Sequence, residues 1–294
     1  EKDVQFAKRY VVVCNMPKTY AILSAKYKGD ESVAIKELQS KGKSNAEKYS
    51  GYAVSLFNIL KDFFNSNKSE KVLLQLVYNS KSFSELNVAL GAELKTACLE
   101  RPNLFFAHSV GITNETNIAE ILDNEKEFAY NGNILYKDGE RYIETISEFK
   151  PDEEIKPIWK DNVVYVITGG TGGLGTLFAK EIADNTENSK IILTGRKKPD
   201  SKIQTIIDSI DGSKVSYVQM DVTNKVSVKN AVEKITGKYG KINGIIHSAG
   251  IIRDNYIIRK TDSEFKSVLQ PKVLGVEYLD EATKKQPLDF MILF

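Results

Sequence analysis

Between residues 163 and 183 the hydrophobic pattern changes period, from one unbroken apolar run to apolar positions that return every three or four residues. Val163 to Ile167 is rich in β-branched residues and holds no turn former, as in a strand buried on both faces of a parallel sheet. Leu174 to Ala183 follows with Leu174, Leu177, Phe178 and Ile182 at helical spacing. Between the two lie Thr168 and a run in which Gly169, Gly170, Gly172, Gly173 and Gly175 are interrupted by Thr171 and Leu174. A strand, a tight glycine crossover and a helix are thereby predicted. That order lets a pyrophosphate sit against the first N–H groups of the helix.

The same alternation runs on to the end of the chain. Strands are predicted over 190–195, 215–220, 242–246 and 288–294, and helices over 203–210 and 225–236. Thr261 or Asp262, with Glu264 in the first turn, predicts a helix start running to Val268 or beyond, and a further helical stretch covers 276–281. Before residue 150, strands are predicted over 10–14, 20–25, 72–77 and 104–110. Helical character is read over 31–38, 51–64, 83–99 and 117–122. Residues 127–133 and 134–149 read as strands and a hairpin, reversed at Lys137-Asp138-Gly139. The chain is therefore α/β, two doubly wound halves in series. No strand of the first half is followed by a glycine-rich loop, so that half is expected to be a scaffold. The charged, proline-bearing run at 150–160 is the expected boundary, giving 1–155 and 156–294. Trp159 is expected to be an apolar plug between the halves.

Composition narrows the class. With 41% hydrophobic and 27% charged residues in 294, the chain is too apolar for general disorder. A formal net charge of +2 gives no electrostatic case for nucleic acid or an anionic membrane as partner. No run approaches the roughly 20 apolar residues of a membrane span, and the first residues lack a signal-peptide core. A cytoplasmic protein is expected. The chain begins without Met, as expected of a piece of something longer. Cys14 and Cys98 sit in apolar contexts and read as buried thiols. His108 and His247 are the two histidines, and no CxxC or HExxH spacing occurs, so no metal site is expected.

The candidate chemistry lies at the carboxyl ends of the second-half strands. Arg196 follows the second strand, beside the adenosine ribose of a bound dinucleotide, where a guanidinium pairs with a 2′-phosphate. Arg196 thus favours NADPH over NADH. Asp221, with Val222, ends the third strand, where its carboxylate can accept from the adenine amino group or cap the next helix. His247, Ser248, Ala249 and Gly250 end the fourth strand and are expected to line the nicotinamide side, His247 by packing and hydrogen bonding rather than as an acid. Ketone reduction needs a donor on the oxygen and a proton source. No Ser with Tyr-x-x-x-Lys or Tyr-x-x-x-Asn follows the fifth strand, so the site reads as half built.

Taken together, the motifs TGGTGGLG (168–175), LTGR (193–196), DVT (221–223), HSAG (247–250), VLQPKVLG (268–275) and LDFMILF (288–294) resemble the ketoreductase domain of modular polyketide synthases, of the short-chain dehydrogenase/reductase superfamily. The first half, with VLLQLV (72–77) and LKTACLE (94–100), resembles its companion structural subdomain, a truncated Rossmann-like fold without cofactor. The flavour is that of assembly lines served by separate acyltransferases.

The resemblance implies a second, NADP-binding Rossmann-like subdomain, incomplete at its C-terminus. Gly169, Gly173 and Gly175 match the family's pyrophosphate-loop glycines, within a loop contributed by Thr168, Gly170, Thr171, Gly172 and Leu174. Arg196 matches the 2′-phosphate binder and Asp221 the adenine contact. Lys272 matches the catalytic lysine, which spacing alone passes over as a surface residue. Asp254 matches the last residue of a motif marking a D-configured hydroxyl product, although the residues before it depart from that motif. The family's Ser, Tyr and Asn are expected beyond Phe294, so residues 1–294 alone are expected to be inactive. The implied substrate is a β-ketoacyl chain on the phosphopantetheine of an acyl carrier protein, beside neighbouring synthase domains. A redox-inactive scaffold and a free-standing short-chain dehydrogenase remain as alternatives.

Overall fold

The structure is a computed structural model that describes residues 5–66, 69–81, 84–115, 117–127, 132–150 and 158–294, with backbone alone at 84–86. The chain forms two compact units, one of Glu1–Glu148 with Asp254–Lys266 and one of Phe149–Arg253 with Ser267–Phe294. The boundary expected at 155/156 lies outside the described residues. Residues 254–266, which the sequence places with the second half, group with the first unit.

In the first unit β1 (Lys8–Cys14), α1 (Pro17–Lys26), β2 (Val33–Leu38), α2 (Asn45–Ser66), β3 (Val72–Asn79), α3 (Ser84–Ala89), α4 (Gly91–Glu100), β4 (Phe105–Ile112), α5 (Ile118–Glu125), β5 (Asn133–Lys137) and β6 (Glu140–Ile143) follow one another. The sheet order is β2-β1-β3-β4-β5-β6. Its pairs are parallel except β5–β6, the hairpin turned at Asp138-Gly139.

Two expectations are exchanged here. Residues 20–25 form part of α1, not a strand. Pro17 starts that helix where its missing N–H is no loss, and Thr19 and Leu23, one turn apart, are its buried residues. Residues 33–38 form edge strand β2, not a helix, because Val33 and Ile35 share one side of the strand and pack on the core. The helix expected over 83–99 is two helices, α3 and α4, that meet at the buried Leu90; Phe83 and 128–131 of the strand expected at 127–133 lie outside the described residues.

Beneath this sheet a polar network replaces part of the apolar core. Arg9 donates from Nε to Gln75 Oε1 (2.6 Å) and from one terminal nitrogen to Asp123 (2.6 Å), and Gln75 reaches His108 Nε2 (2.9 Å). Cys14 and Cys98 are buried thiols not joined in a disulfide, and burial pushes both up to about 12.

In the second unit β7 (Val164–Thr168), α6 (Gly173–Asp184), β8 (Lys190–Gly195), α7 (Ser201–Ile210), β9 (Val215–Gln219), α8 (Lys225–Tyr239), β10 (Gly244–His247), α9 (Asp262–Thr283, within this unit from Ser267 onward) and β11 (Phe290–Leu293) build an all-parallel sheet of order β11-β10-β7-β8-β9. The stretches expected at 261–268 and 276–281 are one helix, α9. β7 is buried throughout because both its faces are covered. Val164 and Val166 join Val228, Val232 and Leu279 on one face, and Tyr165 and Ile167 join Ala179, Ile182 and Ile207 on the other. Each Val, Leu or Ile among them stabilises the fold by roughly 1.5–3 kcal/mol.

α6 presents a different face from the one its leucines suggest. Leu174 and Leu177 are exposed, and Gly175, Ala179, Ile182 and Ala183 are buried. Trp159 packs edge-on against Tyr165 and Phe290, inside the second unit. Among the described residues no helix is long and apolar enough to cross a membrane, and no cluster of His, Cys, Asp or Glu could hold a metal ion.

Asp123 carries a pH prediction. Burial raises its pKa, but hydrogen bonds from Lys26, Arg9 and Tyr27 outweigh burial and hold the carboxyl well below the usual range. A depressed folded pKa contributes stability above the unfolded value of about 3.9, lost as pH falls through the folded one. Asp123→Asn is expected to lower stability at pH 7 by about 1–3 kcal/mol, discounted for partial exposure. In urea titrations the gap from the parent should close as the pH drops below about 4.

Candidate functional site: a glycine cradle at the switch point of the second sheet

In this sheet the chain leaves β7 toward β8 on one side and later enters β10 on the other, so a crevice opens beyond the carboxyl ends of β7 and β10. The glycine run fills the start of that crevice. Gly169 has φ +64°, and a Cβ there would come 2.8 Å from Ala249 Cα in the loop after β10. Only glycine meets both conditions at once. At Gly175 a Cβ would come 2.7 Å from Gly169 O and Gly170 Cα, so the missing side chain lets α6 lie against its own entry loop. Gly173 differs: a Cβ there meets nothing within 4 Å. None of the described residues needs Gly173 to be small, and the space beside it is open.

The first N–H groups of a helix have no intrahelical partner. Asp200 accepts from Ile203 N at the start of α7 (2.8 Å), and Asn224 accepts from Ser227 N at the start of α8 (2.9 Å). α6 begins at the N-cap Gly172, which has no side chain to offer. Its N–H groups and the positive end of its dipole face the crevice, which suits a pyrophosphate.

Arg196 lies one strand away in the exposed turn after β8. That turn is pinned from β9: Gln219 Nε2 donates to Arg196 O (2.9 Å), and Tyr217 OH donates to Lys197 O (2.8 Å). The backbone is held while the Arg196 guanidinium makes no hydrogen bond or ion pair among the described residues. Gln219 and Tyr217 are supports the sequence reading missed; their signal is the two-residue spacing that puts both on one side of β9. Asp221 Oδ1 accepts from Thr223 N (2.9 Å) and Thr223 Oγ1 (2.7 Å), which leaves Oδ2 without a partner among the described residues. The capping role for α8 falls to Asn224, not Asp221. Val222 touches the position where a Cβ on Gly275 would stand, at 3.3 Å.

His247 is fully buried at the end of β10, paired in register with Thr168. Thr168 Oγ1 accepts from Ala249 N (3.2 Å) and lies 2.7 Å from His247 Nδ1. His247 Nε2 faces the carbonyl of Pro271 (2.8 Å), which can only accept. That carbonyl fixes a proton on Nε2, and in the neutral ring that burial favours, Nδ1 accepts from the Thr168 hydroxyl. Burial lowers its pKa, opposed by the Pro271 bond, and the nearby Lys272 charge lowers it further. Ser248 Oγ donates to Thr168 O (2.7 Å), closing the contact between the two loops.

Lys272 follows Pro271 on α9. Its ammonium is hydrogen-bonded to Phe294 O, and burial lowers its pKa. A Cβ on Gly250 would lie 3.3 Å from Lys272 Cε, so the lysine stem runs over the end of the HSAG loop. Thr168 to Gly175, Val222, His247 to Gly250 and Lys272 thus meet at one edge of the second unit, with Arg196 and Asp221 further along it. Asp254 belongs to the first unit. The bond from His247 to Pro271 had no sequence signal, since it joins residues 24 apart with no shared motif.

The KR domain family model matches residues 163–294. Polyketide synthase PksN of Bacillus subtilis (strain 168) is 37% identical over 270 residues, 90% of this chain and 5% of that protein. PksL of the same organism is 36% identical over 254 residues, 84% of this chain and 6% of its own length. The chain thus spans a small fraction of the curated relatives it matches. A solved ketoreductase domain from the bacillaene assembly line superposes with TM-score 0.90 at 29% identity, covering 100% of this chain and 70% of that one. An N-terminal ketoreductase from the macrolactin assembly line, at 23% identity and TM-score 0.74, shares the fold over 100% of this chain and 71% of its own. Residues 163–294 belong to the KR domain family, and the chain as a whole is similar to segments of polyketide synthases and to a ketoreductase domain of such an assembly line.

Proposed function

We propose that this chain is the cofactor-binding portion of an NADPH-dependent β-ketoacyl reductase. Its substrate would be an acyl chain held as a thioester on the phosphopantetheine of an acyl carrier protein, among neighbouring synthase domains. One observation carries the cofactor reading: the uncapped start of α6, with open space at Gly173, lies one strand from an unpaired guanidinium at Arg196. The residues fit the group. N–H groups of α6 would hold the pyrophosphate, Arg196 the 2′-phosphate, Asp221 Oδ2 the adenine amino group, and Ser248 to Gly250 the nicotinamide side.

Bound NADPH supplies the hydride. The chain's own contribution is orientation and charge. The Gly169–Ala249 approach fixes how far apart the two loops stand, and so the width of the crevice. Lys272 places positive charge near the point where a carbonyl oxygen gathers negative charge during reduction, and it favours the ionised form of a proton donor beside it. We place that donor, a Tyr, together with Ser and Asn, beyond Phe294, and assign the D-configured hydroxyl from Asp254. Residues 1–155 then serve as the scaffold and 156–294 as the catalytic half.

Two predictions separate binding from folding. Gly173→Val is expected to leave the melting temperature nearly unchanged while weakening NADPH binding at least tenfold, about 1.4 kcal/mol, by fluorescence titration. Gly169→Ala should lose both, with Tm falling several degrees for about 1–3 kcal/mol of backbone strain. Equal binding by Gly173→Val and the parent would remove the cradle from the account.

Arg196→Glu is expected to weaken NADPH roughly 30-fold or more, from loss of a charge-assisted pair and gain of repulsion, with NADH changed only a few-fold. A variant that still preferred NADPH would contradict the assignment. For the reaction itself, the domain carried past Phe294 should consume nicotinamide absorbance with a β-ketoacyl thioester. No consumption would favour a redox-inactive scaffold.

A further inference from the structure

We propose that His247, oriented by Thr168, is the positioning residue for Lys272, holding through the Pro271 carbonyl the helical turn that presents the lysine to the crevice. The proposal rests on the ketoreductase reading of Lys272. It starts from a weakness in α9. Pro271 lies inside this helix and supplies no N–H to the preceding turn, a defect that costs about 3 kcal/mol in a helix interior. The turn that must place Lys272 is thus the turn least able to hold itself.

The imidazole braces that turn. Its Nε2–H donates to Pro271 O at 2.8 Å, and Thr168 Oγ1 holds Nδ1 at 2.7 Å. Thr168 and His247 are both fully buried, so neither bond competes with water. Gly275, one turn on, lets the helix seat on the ring: a Cβ there would stand 3.4 Å from His247 Cε1 and 3.3 Å from Val222. The chain of contacts therefore runs from the end of β7, through β10, to the carbonyl beside Lys272. Only Thr168, Pro271 O and the Lys272 charge bear on the His247 ring, and on the lysine amine only Phe294 O and that neutral ring, among the contacts of the described residues. A positional error of about 1 Å at a catalytic group can cost on the order of 100-fold in rate.

The test pairs a substrate-free readout with turnover in the complete domain. First, the Lys272 amine is titrated through the pH dependence of its acylation, followed by peptide mass spectrometry without cofactor. In the parent its pKa is expected below the ordinary lysine value of about 10.4. His247→Leu should return it toward that value. His247→Gln, whose amide can occupy the place of Nε2–H, should retain it, and Thr168→Val should shift it in the same direction as His247→Leu. Second, His247→Leu should lower kcat roughly 10–100-fold with NADPH affinity within a few-fold of the parent, and His247→Gln should recover most of it. In a Lys272→Met background His247→Leu should cost nothing further.

An equal loss of kcat from His247→Leu with and without Lys272, or a Lys272 titration indifferent to position 247, would overturn the proposal. Should the parent domain reduce no β-ketoacyl thioester, the functional reading fails, and the amine titration still decides the positioning claim.

Discussion

The close approach of two loops governs this molecule. Gly169 leaves β7 with positive φ and lies so near Ala249 that no side chain fits between them. Thr168 ties the same junction together, accepting from Ala249 N and receiving Ser248 Oγ at its carbonyl. Because β7 and β10 are neighbours in the sheet, this contact sets the floor of the crevice at the switch point. The start of α6 is then carried to its place by Gly175 packing on Gly169 and Gly170. An open helix end suited to an anion is thus a consequence of sheet order plus two places, Gly169 and Gly175, where a Cβ is sterically excluded.

Charge at the site follows from burial and donor counting. His247 is kept neutral by burial and the nearby Lys272 charge, and the acceptor-only Pro271 carbonyl places the proton on Nε2. Thr168 donates to one nitrogen and Pro271 O accepts from the other. The lysine beside it is partly desolvated, which lowers its pKa and readies it to share a proton. Arg196 is held in the opposite way: its backbone is pinned by Gln219 and its exposed side chain has no partner among the described residues. One cation is half-buried beside the HSAG loop, and the other stands exposed in the turn after β8.

Much of this was legible in the sequence, for identifiable reasons. β7 showed because both its faces are buried and its residues had to be apolar without alternation. The glycine crossover showed because positive φ and close approach exclude other residues. The exchanged elements at 20–25 and 31–38 were not legible, since each is short and only a few of its side chains reach the core. The face of α6 was misread for a related reason. Its leucines are exposed while Gly175 and Ala179 pack inward, and helical spacing of large residues carries no information about small ones. Lys272 was found only by resemblance. Its brace, the Pro271 carbonyl, is a backbone atom and leaves no trace in side-chain identity.

The cradle and the guanidinium together form the central claim, and amide shifts on titration with NADP+ against NAD+ address it most directly. The account predicts that the largest shifts with either nucleotide fall on the N–H groups of Gly173 to Gly175, and that the Arg196 side-chain signal moves only with NADP+. Shifts confined to other residues, or an Arg196 response that is the same for both nucleotides, would contradict it.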